Sequence, residues 1–333
     1  MKMKKVFLFS VLVSSLFCNA QDAHFSQFHM MPMHINPAMT GFHDGVVRVG
    51  AIYRNQWATV SNFNSSFQTG GGYVDASLFK GILKKDYFGV GGGAYYDKNG
   101  TNPFSTIDAM VNLAYSKGFG REVKHSIALG IGAEIQMNSF NTTGAVFSDG
   151  ISEKLGQSNS IFDANVGLRY HVYVRKKLNI YAGFAYHHLL QAANKKTAFS
   201  SEKWYAKYVG HAGAQIQLND KWNVVPQFLF MYQNKIWQTN LGAAGQFVFG
   251  DRYTSTNYFS VGMNARLVNS GIDAVIPNIK LDIYNFSVGL AYDINVSNFR
   301  KASKTIGAFE IGLGYVFQGN KRDKQDKTPC PHF

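Results

Sequence analysis

The residues best suited to chemistry are the histidines and the charged pairs. His24, His29 and His34 recur every five residues near the start. Metal ligands must converge on one point, and a spacing of five fits neither a helix face nor one face of a strand. His187 and His188 are neighbours, so in a strand they would point to opposite faces. His211 follows one strand later. These residues suit a polar interior or loop better than a metal site. Glu134, Asp163 and Glu310 fall on the polar face of alternating stretches, as do Arg169 and Arg266. Pairing of these acids with Arg169 or Arg266 across an enclosed interior is the expectation, because an unpaired buried charge is costly. Serines are plentiful, but none forms a recognisable pair with a histidine. Cys18 and Cys330 are the only cysteines, which excludes a cysteine-built metal cluster. No local base stands beside Cys330 to activate it. No catalytic constellation, cofactor site or metal site is read from these residues.

Export comes before any fold. Lys2, Lys4 and Lys5 precede an apolar run from Val6 to Phe17, and Cys18-Asn19-Ala20 offers a processing site. This is the order of a secretory signal peptide over residues 1–20. Cys18 would suit a lipoprotein, but Phe17 stands where that processing wants a small residue. The run is shorter than the ~20 residues of a membrane-spanning helix. An exported chain has no occasion to meet cytoplasmic nucleic acid. The net charge of +13 is therefore read as solvated turns beside anionic lipid headgroups. The basic residues fall mostly in loops and tail, as in Arg175-Lys176-Lys177, Lys195-Lys196 and Lys321-Arg322.

Charged residues make up 16% of the chain, against ~25% in an ordinary soluble domain. Apolar and polar residues alternate almost throughout. From Phe162 to Val174, Phe162, Ala164, Val166, Leu168 and Tyr170 share one face, while Asp163, Asn165, Gly167 and Arg169 share the other. Period two means strands with one apolar face. The pattern predicts fourteen strands, at 45–55, 66–79, 86–97, 104–118, 124–138, 161–174, 178–187, 208–218, 221–232, 237–249, 256–267, 271–282, 285–293 and 308–317. Pro277 makes the twelfth the weakest. With both termini periplasmic, the longest connections, 139–160, 188–207 and 294–307, all fall outside, as in outer-membrane barrels. The shortest, 175–177, 219–220 and 283–284, all fall on the periplasmic side. A soluble sandwich has no reason to obey this rule. The fold class is all-β, a transmembrane antiparallel barrel over 45–317, with Leu129, Ile131 and Leu168 toward lipid and Gln136, Asn165 and Arg169 inward. Aromatics near strand ends, such as Tyr95-Tyr96, Phe230, Tyr232, Trp237, Phe247 and Phe249, suit the girdles at headgroup level.

Residues 21–44 lack alternation. Asn36-Pro37 favours a turn, and Gly41 can end a short helical turn begun at Pro37. The aromatic and Met content argues for burial, as a plug in the barrel or a cover over its periplasmic mouth. At the other end, residues 318–333 are basic, and Pro329 and Pro331 cannot join a ladder. This segment reads as a periplasmic tail with an aromatic available for docking.

Three separated elements occur in order: Gln21-Asp22-Ala23-His24-Phe25-Ser26-Gln27, then Asn36-Pro37-Ala38 with Gly41, then Tyr53-Arg54-Asn55-Gln56-Trp57 after the first strand. In this the chain resembles the PorP/SprF family, whose pattern reads QDPxFSQ, NPAxxG, YRxQW. Ala23 departs from the usual Pro, and the specific motifs cover only the first ~60 residues. The resemblance implies a role in the type IX secretion system of Bacteroidota. It implies partners among other secretion proteins and a secreted adhesin-type cargo, with links to gliding motility. It also implies that Phe25, Ser26, Gln27, Asn36, Pro37, Ala38, Gly41, Tyr53, Arg54, Gln56 and Trp57 form a plug or partner-binding element. The competing reading is a FadL-like transporter of hydrophobic compounds, which also has fourteen strands and an Asn-Pro-Ala plug. A diffusion porin is third.

Overall fold

The computed structural model describes residues 24–57, 66–80, 82–83, 85–98, 104–120, 123–140, 158–174, 177–190, 205–250, 257–297 and 300–319. The signal-peptide stretch, most of the longest loops, the Lys195-Lys196 pair and the tail from residue 320, with Cys330, lie outside them.

Fourteen strands form one closed sheet in which each pairs antiparallel with its sequence neighbours and the first closes on the last. They are β1 Val47–Gln56, β2 Phe67–Leu78, β3 Tyr87–Lys98, β4 Phe104–Phe119, β5 Val123–Phe140, β6 Ser158–Val174, β7 Leu178–His187, β8 Lys207–Gln217, β9 Trp222–Gln233, β10 Ile236–Phe249, β11 Asn257–Val268, β12 Gly271–Ile283, β13 Phe286–Asn295 and β14 Ile306–Phe317. Closure removes the open edges that lipid cannot solvate. No described helix is long and apolar enough to cross a membrane; the strands do the crossing.

Alternation sorts the two faces. Leu129 and Ile131 are each 61% exposed on the outer surface, and Leu168 is 46% exposed, while Arg169 is 0% exposed and Asn165 is 5%. Gln136 is half-buried on the inner face, bonded to Asn138. Tyr95 departs from the girdle expectation. It is buried in the lumen with its ring edge-on to His34, whereas its neighbour Tyr96 faces out.

Pro277 does not break β12. Its strand pairs with β11 through Met263, but the ladder to β13 has no pairs at 276 and 277. The N–H that proline lacks is thus missing on the β13 side only.

The start of β1, the end of β14 and the strand ends that join β2 to β3, β4 to β5, β6 to β7, β8 to β9, β10 to β11 and β12 to β13 lie at one end of the barrel. The strand ends that join β5 to β6 and β7 to β8 lie at the other, together with the two-residue turns 234–235 and 269–270. A membrane-spanning strand needs ~9–11 residues. At 18 and 17 residues β5 and β6 are far longer, so their ends extend beyond the membrane.

Candidate functional site

The lumen is occupied by the chain's own start. Residues 24–44 form three short turns, Phe28–Met30, Pro32–Ile35 and Pro37–Met39, and then enter β1. Apolar side chains line this plug. Phe25, Met30 and Met31 pack on Ile52, while Phe28 and Ile35 pack on Ala185, Val209 and Leu229. Outside the sheet's ladder, its backbone groups must be met by lumen side chains, and three clusters do this.

The first cluster is ionic and lies toward the long-loop end. Glu310 accepts from the backbone N–H of Ser26 at 2.7 Å and of Gln27 at 2.8 Å. Arg54 bonds both Glu310 and Asp293, the latter at 2.9 Å. Arg266 meets Asp293 at 2.8 Å and Asp273 at 2.9 Å. Ser26 Oγ donates to Asp293 at 2.7 Å and accepts from Arg54 at 2.9 Å. Gln56 accepts from Arg54 at 3.3 Å. Two arginines thus bridge carboxylates that also hold the plug.

The second cluster centres on Asn36, which is 0% exposed. Its Oδ1 accepts from the Ala38 N–H at 2.8 Å, capping the turn begun at Pro37. Its Nδ2 faces the carbonyls of Leu168 at 3.0 Å and Phe184 at 3.3 Å, and His211 Nε2 at 2.9 Å. An amide NH2 only donates, so this His211 nitrogen is the acceptor. A Cβ on Gly167 would overlap the Asn36 amide, and one on Gly130 would overlap the Pro37–Ala38 peptide. These glycines let the turn touch the wall.

The third cluster closes the plug near the terminal end. Asp75 takes Arg48 bidentately, at 2.9 and 2.8 Å, and accepts from the Gly41 N–H at 2.7 Å. Gly41 has φ +74°, and a Cβ there would come within 2.9 Å of Gly89 Cα. Only glycine fits both demands.

Several expectations need correction. Arg169 is held by the Ala38 carbonyl at 3.2 Å, Tyr87 Oη at 3.0 Å and the Phe42 ring at 3.7 Å from its centroid. The acids named for it go elsewhere: Glu310 to Arg54, Asp163 to His188 at 2.7 Å and Glu134 to Asn165 at 2.6 Å. Arg266 does take acids, but they are Asp273 and Asp293. His187 and His188 both turn inward, because His188 leaves the strand with φ +65°. Tyr53 to Gln56 lie inside β1 rather than after it. Arg54 therefore points into the lumen, while Tyr53 is exposed on the outer face. Trp57 follows with φ +60° and stands edge-on to Phe67. The Asn36–Gly41 turn packs inside the barrel, running from the Leu168 and Phe184 carbonyls toward Asp75. Arg48, Asp75 and Asp293 were missed. The inward phase of Arg48, six residues before Arg54 on one strand, was the available signal.

The imidazoles of the plug sit in this dry setting. Burial lowers His29 and His43 from the usual value to about 3, so both are neutral at ordinary pH. His34 stands edge-on to Phe25 and Tyr95. Among the described residues no group of three or more His, Cys, Asp or Glu is placed to hold a metal ion.

The model of the type IX secretion system membrane protein PorP/SprF matches residues 17–315. No curated protein matches the chain. Among solved structures, CdiB from Acinetobacter baumannii is 9% identical with a TM-score of 0.42, over 81% of this chain and 60% of that one. The NanC porin is 11% identical with a TM-score of 0.39, over 82% of this chain and 100% of that one. The beta domain of the Bordetella autotransporter BrkA is 10% identical with a TM-score of 0.39, again over 82% and 100%. The chain spans 60% of the length of CdiB. With fourteen strands closed in a barrel and a family match over most of its length, this outer-membrane protein belongs to the PorP/SprF family of type IX secretion system membrane proteins.

Proposed function

We propose that this barrel serves type IX secretion by binding other proteins, an adhesin-type cargo and further secretion components, and not by catalysis or passage of small solutes. The observation that carries the reading is the plug. Its buried hydrogen bonds and ion pairs fill the lumen with the chain's own residues 24–44. A transporter of hydrophobic compounds or a porin needs that space for solute. The motif residues then act as architecture: Ser26, Gln27, Arg54 and Gln56 fix one end of the plug, and Asn36 to Gly41 fix the other. Recognition falls to the long outer loops, where binding usually resides. Outer-membrane lipid contacts the apolar face.

Affinity capture of the tagged barrel from gently solubilised native membranes tests this. Recovery of secretion components, or of an adhesin carrying a C-terminal type IX targeting domain, is expected. Recovery of a hydrophobic compound in the barrel with no such protein would replace this reading with a transport one.

A further inference from the structure

The turn that joins β2 to β3 carries an apolar patch where a polar one would be expected. It lies at the end of the barrel where β1 starts. Ile82 is 76% exposed, Phe79 54% and Leu83 42%. The backbone N–H groups of Ile82 and Leu83 both donate to the Phe79 carbonyl, at 3.0 and 3.1 Å. This bonding, at the i, i+3 and i+4 spacing of neighbours on a helical surface, brings the three residues together. Phe79 has φ +61°, a left-handed conformation uncommon for a bulky residue. Single exposed apolar residues need no explanation, but a contiguous group marks a contact surface.

The turn is held in this exposed position from both flanks. The Asp86 carboxylate accepts from the Gly118 N–H at 2.9 Å and from the Tyr115 hydroxyl at 2.8 Å. Lys85 Nζ donates to the Gly120 carbonyl, and Lys80 Nζ donates to the His43 carbonyl. The patch also continues a surface already assigned to lipid. The Phe79 ring stands edge-on to Phe88 at 6.3 Å, and Phe88 lies 4.9 Å from Tyr115. Leu78, Phe88 and Tyr115 are all exposed on the outer face of the barrel. Lys117 is exposed one outward position beyond Tyr115. An aromatic with a polar tip and a lysine beside it suit the headgroup layer, where the ring stays in lipid and the ammonium reaches phosphate. The turn starts at that level, since Leu78 pairs with Phe88 and Phe88 with Tyr115. A protein in the aqueous compartment would meet a surface set apart from the lipid belt, whereas this one is continuous with it.

We propose that the β2–β3 turn is an interfacial membrane anchor, with Phe79, Ile82 and Leu83 immersed in the lipid of the leaflet at this end of the barrel. The turn thus extends the lipid contact of the strands past their ends and seats this edge of the barrel in the headgroup region.

Cys330 is the only cysteine outside the first twenty residues, so single-cysteine barrels are made in a Cys330→Ser background. Ile82→Cys places a thiol in the turn. Leu129→Cys places one on the lipid-facing wall, and Asp220→Cys places one at an exposed position in the turn between β8 and β9 at the same end. Each is purified as the mature barrel, with heat-modifiable migration confirming the fold, and is labelled with a nitroxide. The barrels are placed in vesicles of phosphatidylethanolamine and phosphatidylglycerol. No other protein is present, so shielding from water there comes from lipid. Collision of the label with dissolved oxygen, which concentrates in lipid, is compared with collision with a water-soluble nickel chelate. The oxygen-to-nickel ratio at 82 should exceed that at 220 by about fivefold or more and approach that at 129. Equal ratios at 82 and 220 would overturn the proposal by leaving the turn in water. Dipolar broadening between labels at 82 on two barrels, undiminished at high lipid dilution, would overturn it in favour of a second copy.

Discussion

Asn36 shows how one side chain can fix a segment. Its amide turns a donor toward three acceptors and an acceptor toward one donor, so neither end can be exchanged. Asn36→Ala leaves the Leu168 and Phe184 carbonyls and His211 without that donor. An unmet buried group costs ~1–3 kcal/mol. Asn36→Asp should be worse than Asn36→Ala at neutral pH, because it aims a carboxylate oxygen at acceptors. The measurement is protease resistance of residues 24–44 in the folded barrel, and the expected order is wild type, then Ala, then Asp. Arg54 makes a second case. Arg54→Ala strands Glu310 and Asp293, and breaking a buried pair from one side costs ~3–5 kcal/mol. Urea titration of heat-modifiable migration should show that loss, with partial recovery in Arg54→Ala combined with Glu310→Gln. These residues were visible in the sequence as motif positions, and the inward phase of Arg54 could be read from alternation. Their partners could not. Asp293 lies 239 residues from Arg54 and Leu168 lies 132 from Asn36, and only barrel closure brings them together.

At the scale of elements, the strands were legible because lipid on one side and a polar lumen on the other impose period two. All fourteen appear, with ends shifted by up to three residues. The plug was legible only as a segment without that period, since its turns answer to wall residues and not to a repeat. The plug and the wall should respond separately to change. Gly167→Val pushes into the Asn36 amide without touching the outer face. The barrel should still fold, while a thiol-reactive label reaches a cysteine placed at His34 in this background and not in the wild-type background. Acid should have a related effect. An undocked plug has imidazoles near 6.5, whereas burial holds His29 and His43 at about 3. Between those values the undocked form binds more protons, so docking weakens as pH falls from 6.5 toward 3 and is at full strength above 6.5. Limited proteolysis of residues 24–44 should be flat from pH 7 to 8.5 and rise steadily below pH 6.

For the whole molecule, closure, parity of the connections and the filled lumen point the same way. The strand ends that lead into the longest connections gather opposite the start of β1, and β5 and β6 extend beyond the membrane. The apolar wall belongs to lipid and the lumen belongs to the plug. None of this was contained in composition alone, which gave only a strand-rich exported chain; the secretion role came from three short motifs and the family match. The most direct test is a clean deletion, complemented by the wild-type gene, in which surface delivery of adhesin-type cargo is measured beside growth on hydrophobic nutrients. A specific cargo with a type IX targeting domain should fail to reach the surface while growth is unchanged. Normal delivery with lost uptake of a hydrophobic compound would contradict it.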